Sequence, residues 1–311
     1  KRYSDAVPAF VTAVKLAPKS VNVHMLLARA YLDIGDTGSA RETFGEVLKL
    51  DSSPMVLNNV AWELAEKNLD LDSAKDYAQK AVQAEEETSA KTDIGHIGTS
   101  ELRQAQVLAT FWDTLGWVYF RQNEFPLAEK YLTAAWRVSQ SAVTGEHLGR
   151  LYEKQGNKPA ALHLYQLAHS AAPLRVGIRP QTMSYVQETS EDADADLKRL
   201  GGKPDPAKAV TELNDMRTVQ LPRMVEGTAT AQFYVVLGPG RKVDAKFESG
   251  KESLKPAEKF LRTANFKFVF PDQGPERIAR QGFVSCYPYG GCSMVLTMPS
   301  TAVALPPSLV P

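Results

Sequence analysis

Small and large apolar residues return at fixed intervals through the first half of the chain. Ala6, Phe10 and Ala13 stand at i, i+4, i+7. The same spacing recurs at Ala40, Phe44, Val47, at Ala74, Ala78, Ala81, at Ala128, Leu132, Ala135 and at Ala161, Tyr165, Ala168. It puts each triplet on one face of a helix, where alanine lets a neighbouring helix approach closely and the larger residue fills the space beside it. The leading alanines lie 34 positions apart until an insertion over about residues 87–106 breaks the phase. From the second triplet on, each such helix follows another with its own apolar face: Leu27, Ala28, Tyr31; Ala61, Trp62, Ala65; Trp112, Leu115, Tyr119; Leu148, Gly149, Tyr152. Turn signals such as Ile34-Gly35-Asp36, Gln122-Asn123 and Gln155-Gly156-Asn157 separate the members of a pair. Pro18 and Pro173 close the first and last of the second helices. The pattern predicts an α-solenoid of stacked helical hairpins over residues 1–173. The insertion reads as an excursion near Thr88–Thr99, then a helix from about Ser100 into Trp112. It is either a functional element or a length-tolerant surface loop.

Past residue 173 the helical period loosens. Residues 174–225 read as a closing helix over Thr182–Leu200, with Met183, Val186, Leu197 and Leu200 available for burial, followed by a stiff joint at Lys203-Pro204-Asp205-Pro206. From residue 226 the period becomes two. Strands are expected over Thr228–Leu237, Lys242–Glu248, Phe266–Phe270, Arg277–Cys286 and Cys292–Met298, with one helix over Ser253–Ala264. The order ββαβββ predicts a small α+β domain, one helix on an antiparallel sheet, over 226–311, ending in an apolar, proline-containing tail.

The run Trp112-x-x-Leu115-Gly116-x-x-Tyr119, followed by Ala128 and Leu132, resembles the tetratricopeptide signature, and residues 1–173 look like about four and a half such repeats. In that family the first helix of each hairpin lines a concave face that holds a protein or peptide. The resemblance implies groove positions at Asn22, Met25, Arg29, Asn59, Glu63, Asp113, Trp117, Arg121, Glu146 and Arg150, with Trp117 either an exposed aromatic anchor or packed on the inserted segment or the C-terminal domain. The family's carboxylate clamp of Lys and Asn is not matched, since Met25 and Arg29 stand where it would begin. The groove therefore suggests a polar extended ligand or another copy of the protein. Residues 226–298 are similar to the C-terminal domain of TonB-type energy-transducing proteins, through Gly240, Val243, Gly250, Leu254, Ala257, Leu261, Phe266, Phe270 and Pro271. The Cys286–Cys292 hairpin departs from that domain, so its partner binding is not carried over. Together the halves look like the C-terminal part of bacterial envelope proteins with a transglutaminase-like domain upstream. The chain opens within a repeat, at a second helix over Tyr3–Leu16, which suggests part of a longer precursor.

Charge and chemistry narrow the function further. Lys plus Arg equals Asp plus Glu, 36 of each, so no net field favours nucleic acid or anionic lipid. No apolar run reaches the length of roughly 20 residues that a membrane helix needs. The five histidines, His24, His96, His147, His163 and His169, show no metal-ligand spacing, and Asp192-x-Asp194-x-Asp196 fails as a calcium loop because Leu197 and Lys203 stand where Gly and Glu are required. No catalytic constellation and no cofactor are expected. Tyr-Pro-Tyr-Gly-Gly between Cys286 and Cys292 would bring two strand ends face to face, where a disulfide is geometrically reasonable; two reduced thiols in a cytosolic hairpin are the alternative. A periplasmic, cell-surface or secreted location is favoured over the cytoplasm. The expected function is a non-enzymatic protein–protein scaffold of the bacterial envelope. The alternatives are a self-assembling subunit of an extracellular filament or tube, built by head-to-tail solenoid contacts, and a docking part of a larger transglutaminase-like enzyme.

Overall fold

The computed structural model describes residues 3–171 and 193–299. They begin with nine α-helices in hairpin order: α1 (Tyr3–Leu16), α2 (Val21–Asp33), α3 (Thr37–Leu50), α4 (Pro54–Glu66), α5 (Leu71–Ser89), α6 (Thr99–Arg121), α7 (Phe125–Ser139), α8 (Ala142–Lys154) and α9 (Lys158–Ala171). Four of the five expected seams are buried: Ala40, Ala74, Ala128 and Ala161 have no exposed surface, nor have Val47, Ala78, Ala81, Leu132, Tyr165 and Ala168, while Ala6, Phe10 and Ala13 on α1 are half-buried. Local chemistry sets the boundaries. Ser20 and Asp36 accept from the backbone N–H groups of Val23 and Ser39 at the starts of α2 and α3, and Pro54 opens α4. Gly35 and Gly156 adopt φ of 79° and 77° in the turns after α2 and α8, the left-handed conformation that ends a helix at low cost in glycine.

The chain divides into two compact units, residues 1–84 with 114–124, and residues 85–113 with 125–311. In the first, Arg29 and Lys67 pair with Glu63 and Asp33 across α2 and α4. Gln79 donates to the Tyr119 hydroxyl at 3.0 Å.

The second unit carries the sheet: β1 (Thr218–Leu221), β2 (Ala229–Gly238), β3 (Lys242–Gly250), β4 (Ile278–Tyr287) and β5 (Gly291–Leu296), all antiparallel in the order β1-β5-β4-β2-β3. One face buries Phe233, Val235, Leu237, Val284 and Met294 against Leu254, Ala257 and Leu261, the last two on a single-turn helix, α12 (Ala257–Leu261). The other face packs on the insertion, where Val236, Ala279 and Tyr234 meet Leu102, Ile94 and Ile97. The Lys246 ammonium donates to the Gly95 carbonyl at 3.2 Å. The insertion is thus a platform for the sheet and not a surface loop. Two glycines let helices of this unit close up: a Cβ at Gly149 would stand 2.4 Å from the Tyr165 ring, and one at Gly145 would stand 2.8 Å from the Trp136 ring.

Several expectations change here. The segment 174–225 contributes a helix, α11 (Pro206–Arg217), opened by an Asp205 cap, and the edge strand β1, neither of them foreseen. Of the closing helix, residues 193–199 are helical (α10), with Leu197 buried on Ala161 and Tyr165. Met183 and Val186 lie outside the described residues, as does Pro173. The helix expected over Ser253–Ala264 is shorter, a 3-10 turn at Glu252–Leu254 followed by α12. Phe266–Phe270 is not a strand. Phe266 is buried and Phe268 and Phe270 half-buried against the core, so the period of two is present without a ladder.

Buried charges mark where the sheet joins the helices of this unit. Arg280 on β4 is 1% exposed, donates to the carbonyls of Val138 at 2.9 Å and Thr297 at 2.5 Å, and stacks on the Phe268 ring. Val138 lies in the last turn of α7, where carbonyls lack intrahelical partners and the helix dipole favours a cation. Burial, with Arg217 nearby, lowers the Arg280 pKa to about 9. Glu276, two residues before β4, has no exposed surface, and neither of its carboxylate oxygens has a hydrogen-bond partner among the described residues. Burial, then the nearby Glu86 and Asp272 charges, raise its pKa to about 7. Burial also raises that of Glu86, against a 2.9 Å hydrogen bond from the Trp112 indole.

Candidate functional site

Five of the ten groove positions come together. Asn22, Met25 and Arg29 on α2 and Asn59 and Glu63 on α4 line one depression of about 440 Å³ with Leu26 and Trp62. The helical period explains this: 22, 25, 26 and 29 share one face of α2, and 59, 62 and 63 share one face of α4. Asn22, Leu26, Arg29 and Asn59 are exposed, whereas Glu63 is buried. The Arg29 Nε donates to Glu63 Oε1 at 2.9 Å, so the cation reaches into the groove from a fixed anion below it. Exposed Leu26, with half-exposed Met25 and Trp62, gives the depression apolar lining alongside the carboxamides of Asn22 and Asn59. It offers hydrogen bonds and contact area but no nucleophile or base.

The other five positions serve elsewhere. Trp117 is not an exposed anchor: it is 2% exposed and stacks on Phe120 at 4.7 Å between ring centroids, with the Arg121 guanidinium 5.8 Å from its ring. Arg121 also donates to the Glu66 carbonyl at 3.4 Å. A tryptophan on the first helix of a hairpin packs inward when a neighbouring aromatic can cover it. In the second unit Asp113 is buried and bonds the buried His147 ring nitrogen Nδ1 at 3.1 Å. Glu146 is buried and paired with Arg150 at 2.5 Å, and Arg150 also reaches Asp196 at 3.9 Å. Equal spacing in sequence therefore yields an open surface at α2 and α4 and buried polar pairs at α6 and α8. Leu26 and Trp62 were missed as lining residues because apolar side chains on a helix read first as core.

Cys286 and Cys292 form a disulfide across β4 and β5, directly opposite each other, with Cα atoms 4.0 Å apart. Both cysteines are buried in the sheet core. Among the described residues no group of three His, Cys, Asp or Glu could hold a metal, and no helix is long and apolar enough to cross a membrane.

The tetratricopeptide repeat family matches residues 1–57, which span α1 to the start of α4. No curated protein matches the chain. Among solved structures, PilW, a widely conserved type IV pilus biogenesis factor, is similar at 17% identity and a TM-score of 0.41, over 68% of this chain and 83% of that one. A thermophilic tetratricopeptide protein of Thermus thermophilus is similar at 22% identity and a TM-score of 0.39, over 62% of this chain and 90% of that one. Yeast Tom70 is similar at 21% identity and a TM-score of 0.36, over 68% of this chain and 40% of its own. Similarity at this level leaves the α2–α4 depression to be read from its own residues.

Proposed function

We propose that this protein is a non-enzymatic scaffold that holds an extended peptide segment of a protein partner in the α2–α4 groove. One observation carries the reading: exposed carboxamides at Asn22 and Asn59 share with Met25, Leu26 and Trp62 the lining of one depression of about 440 Å³. Carboxamides can bond both the N–H and the C=O of an extended backbone, while Leu26, Met25 and Trp62 receive side chains. The test is capture from envelope extract by wild type and by a variant carrying Leu26→Glu and Asn59→Ala. Leu26 and Asn59 are exposed, so the fold should survive and the captured partner should be lost. Unchanged capture overturns the reading.

The location proposed is the bacterial envelope or the cell exterior, supported by the Cys286–Cys292 disulfide, a bond that persists in oxidising compartments. The reading of residues 226–298 as TonB-like draws on the run β2, β3, α12, β4. A second reading, self-association, draws on Leu16 in α1, which is 83% exposed. Sedimentation of wild type beside Leu16→Lys separates the two, since only self-association makes the wild type heavier.

A further inference from the structure

A cleft in the second unit, between the start of β3 and the segment after α12, is apolar along its walls and bordered by two exposed cations. We propose that it binds a free medium-chain fatty acid, with the carboxylate on Arg241 and Lys242 and the aliphatic chain against the phenylalanines opposite.

The walls set the ligand's body. Leu237 and Val243 on the sheet side and Phe266, Phe268, Val269 and Phe270 on the other bound a cleft of about 350 Å³. That lies within the range of small-molecule sites, about 300–1,000 Å³, which are mostly apolar with a few placed polar groups. Leu237 and Phe266 are buried, Val243, Phe268 and Phe270 half-buried, and Val269 exposed.

Two of the rings are held from behind. The Arg280 guanidinium stands 5.3 Å from the centre of the Phe268 ring, and Trp112 meets Phe270 edge-on with ring centroids 6.2 Å apart. Arg280 and Trp112 are themselves buried. The wall is therefore preformed, and a ligand entering the cleft need not spend binding energy on ordering it.

Charge fixes the polar end. Among the described residues no acid lines the cleft, while Arg241 and Lys242 are exposed. Neither side chain has an ion pair or a hydrogen bond among the described residues. Other cations of the same domain are engaged: Lys246 donates to the Gly95 carbonyl, Lys267 to the Asp215 carbonyl and Arg277 to Asp244. Arg241 has a φ of 60°, a left-handed conformation that glycine or asparagine adopts at lower cost, so the cation stands there against its backbone preference. Its planar fork matches the two oxygens of a carboxylate, and the exposed carboxamides of Asn265 and Gln273, which also line the cleft, can donate to them. The adjoining depression of about 600 Å³ includes Asp244 and Glu276, so the anionic head is favoured beside Arg241 and the chain along the phenylalanines.

Isothermal titration of the full chain with hexanoate, dodecanoate and dodecylammonium, each below its micelle concentration, tests the proposal. Dodecanoate should bind at one site, at least tenfold more tightly than either of the others, and should raise the melting temperature. Along a series of chain lengths affinity should rise by up to about fourfold per methylene and level off once the wall is covered. Val269→Glu should weaken dodecanoate at least tenfold, and Arg241→Glu with Lys242→Glu should reverse the order of dodecanoate and dodecylammonium. All three residues are exposed, so the melting temperature without ligand should not change. Absence of saturable dodecanoate binding overturns the proposal, as does equal affinity for dodecylammonium or indifference to these substitutions. So does sedimentation with phosphatidylglycerol vesicles in the absence of dodecanoate binding, since the cations would then serve a lipid surface. A blocked heptapeptide of alternating valine and glutamate that binds more tightly than dodecanoate, and is lost with Val269→Glu, would give the cleft to a protein partner and equally overturn it.

Discussion

Glu276→Gln isolates a single buried charge. The side chain has no exposed surface and no hydrogen-bond partner among the described residues, and burial with Glu86 and Asp272 nearby raises its pKa to about 7, from an ordinary value of 4.5. Below pH of about 4.5 the carboxyl is protonated whether the chain is folded or unfolded, and it carries no penalty. As pH rises from there the unfolded chain ionises first while the folded one keeps its proton, so stability falls. The fall continues to about pH 7, beyond which both states are ionised and the penalty is constant. A difference of about 2.5 units corresponds to about 3 kcal/mol, an upper bound because water reaching the opened site would relieve part of it. Glutamine has nearly the same shape and no charge, so the variant should lose this slope. Urea denaturation at pH 4.5, 6, 7 and 8, followed by tryptophan fluorescence, measures it. The variant should gain about 2 kcal/mol on the wild type between the first and last pH. Parallel stability profiles for the two proteins would refute the reasoning. Asp272 pairs with Lys130 at 2.6 Å and Glu86 accepts from Trp112, so neither supplies the missing partner.

Other perturbations test the packing. Gly149→Ala places a Cβ 2.4 Å from the Tyr165 ring and should cost about 1–3 kcal/mol in urea denaturation, whereas Gly156→Ala meets no atom and costs only the strain of its left-handed turn. Leu102→Ala removes the main buried contact between the insertion and the sheet and should cost about 2–4 kcal/mol, with faster proteolysis between α11 and β2. Reducing Cys286–Cys292 opens a six-residue separation and should lower stability by about 2 kcal/mol on the loop-entropy estimate, and Cys286→Ser with Cys292→Ser should be indifferent to reductant.

The repeats were legible because the alanine seams obey a rigid geometric rule: a residue that must touch the next helix has to be small and on one face. Ala40, Ala74, Ala128 and Ala161 state that rule without help from distant residues. The insertion was harder to read. Leu102 and Ile97 serve a sheet that appears in the chain more than a hundred residues later, and no local pattern announces such a partner. β1 is four residues long, too short for alternation to stand out. Phe266, Phe268 and Phe270 show the opposite problem, since burying alternate side chains gives the period of a strand whether or not a ladder forms. At the depression, the tetratricopeptide resemblance named five positions on α2 and α4 that the fold brings together, but it treated Trp117 as equivalent to them. Exposure depends on which neighbours cover a face, and Phe120 covers Trp117.

The carbonyl of Val138 receives its hydrogen bond from a residue 142 positions further along the chain. As the polypeptide leaves the ribosome, the last turn of α7 must therefore rely on water for that bond until β4 has been made. Arg280 in turn cannot enter the interior without an acceptor waiting there. A product truncated after β3 would therefore lack the donor to this carbonyl and should leave α7 frayed at its end.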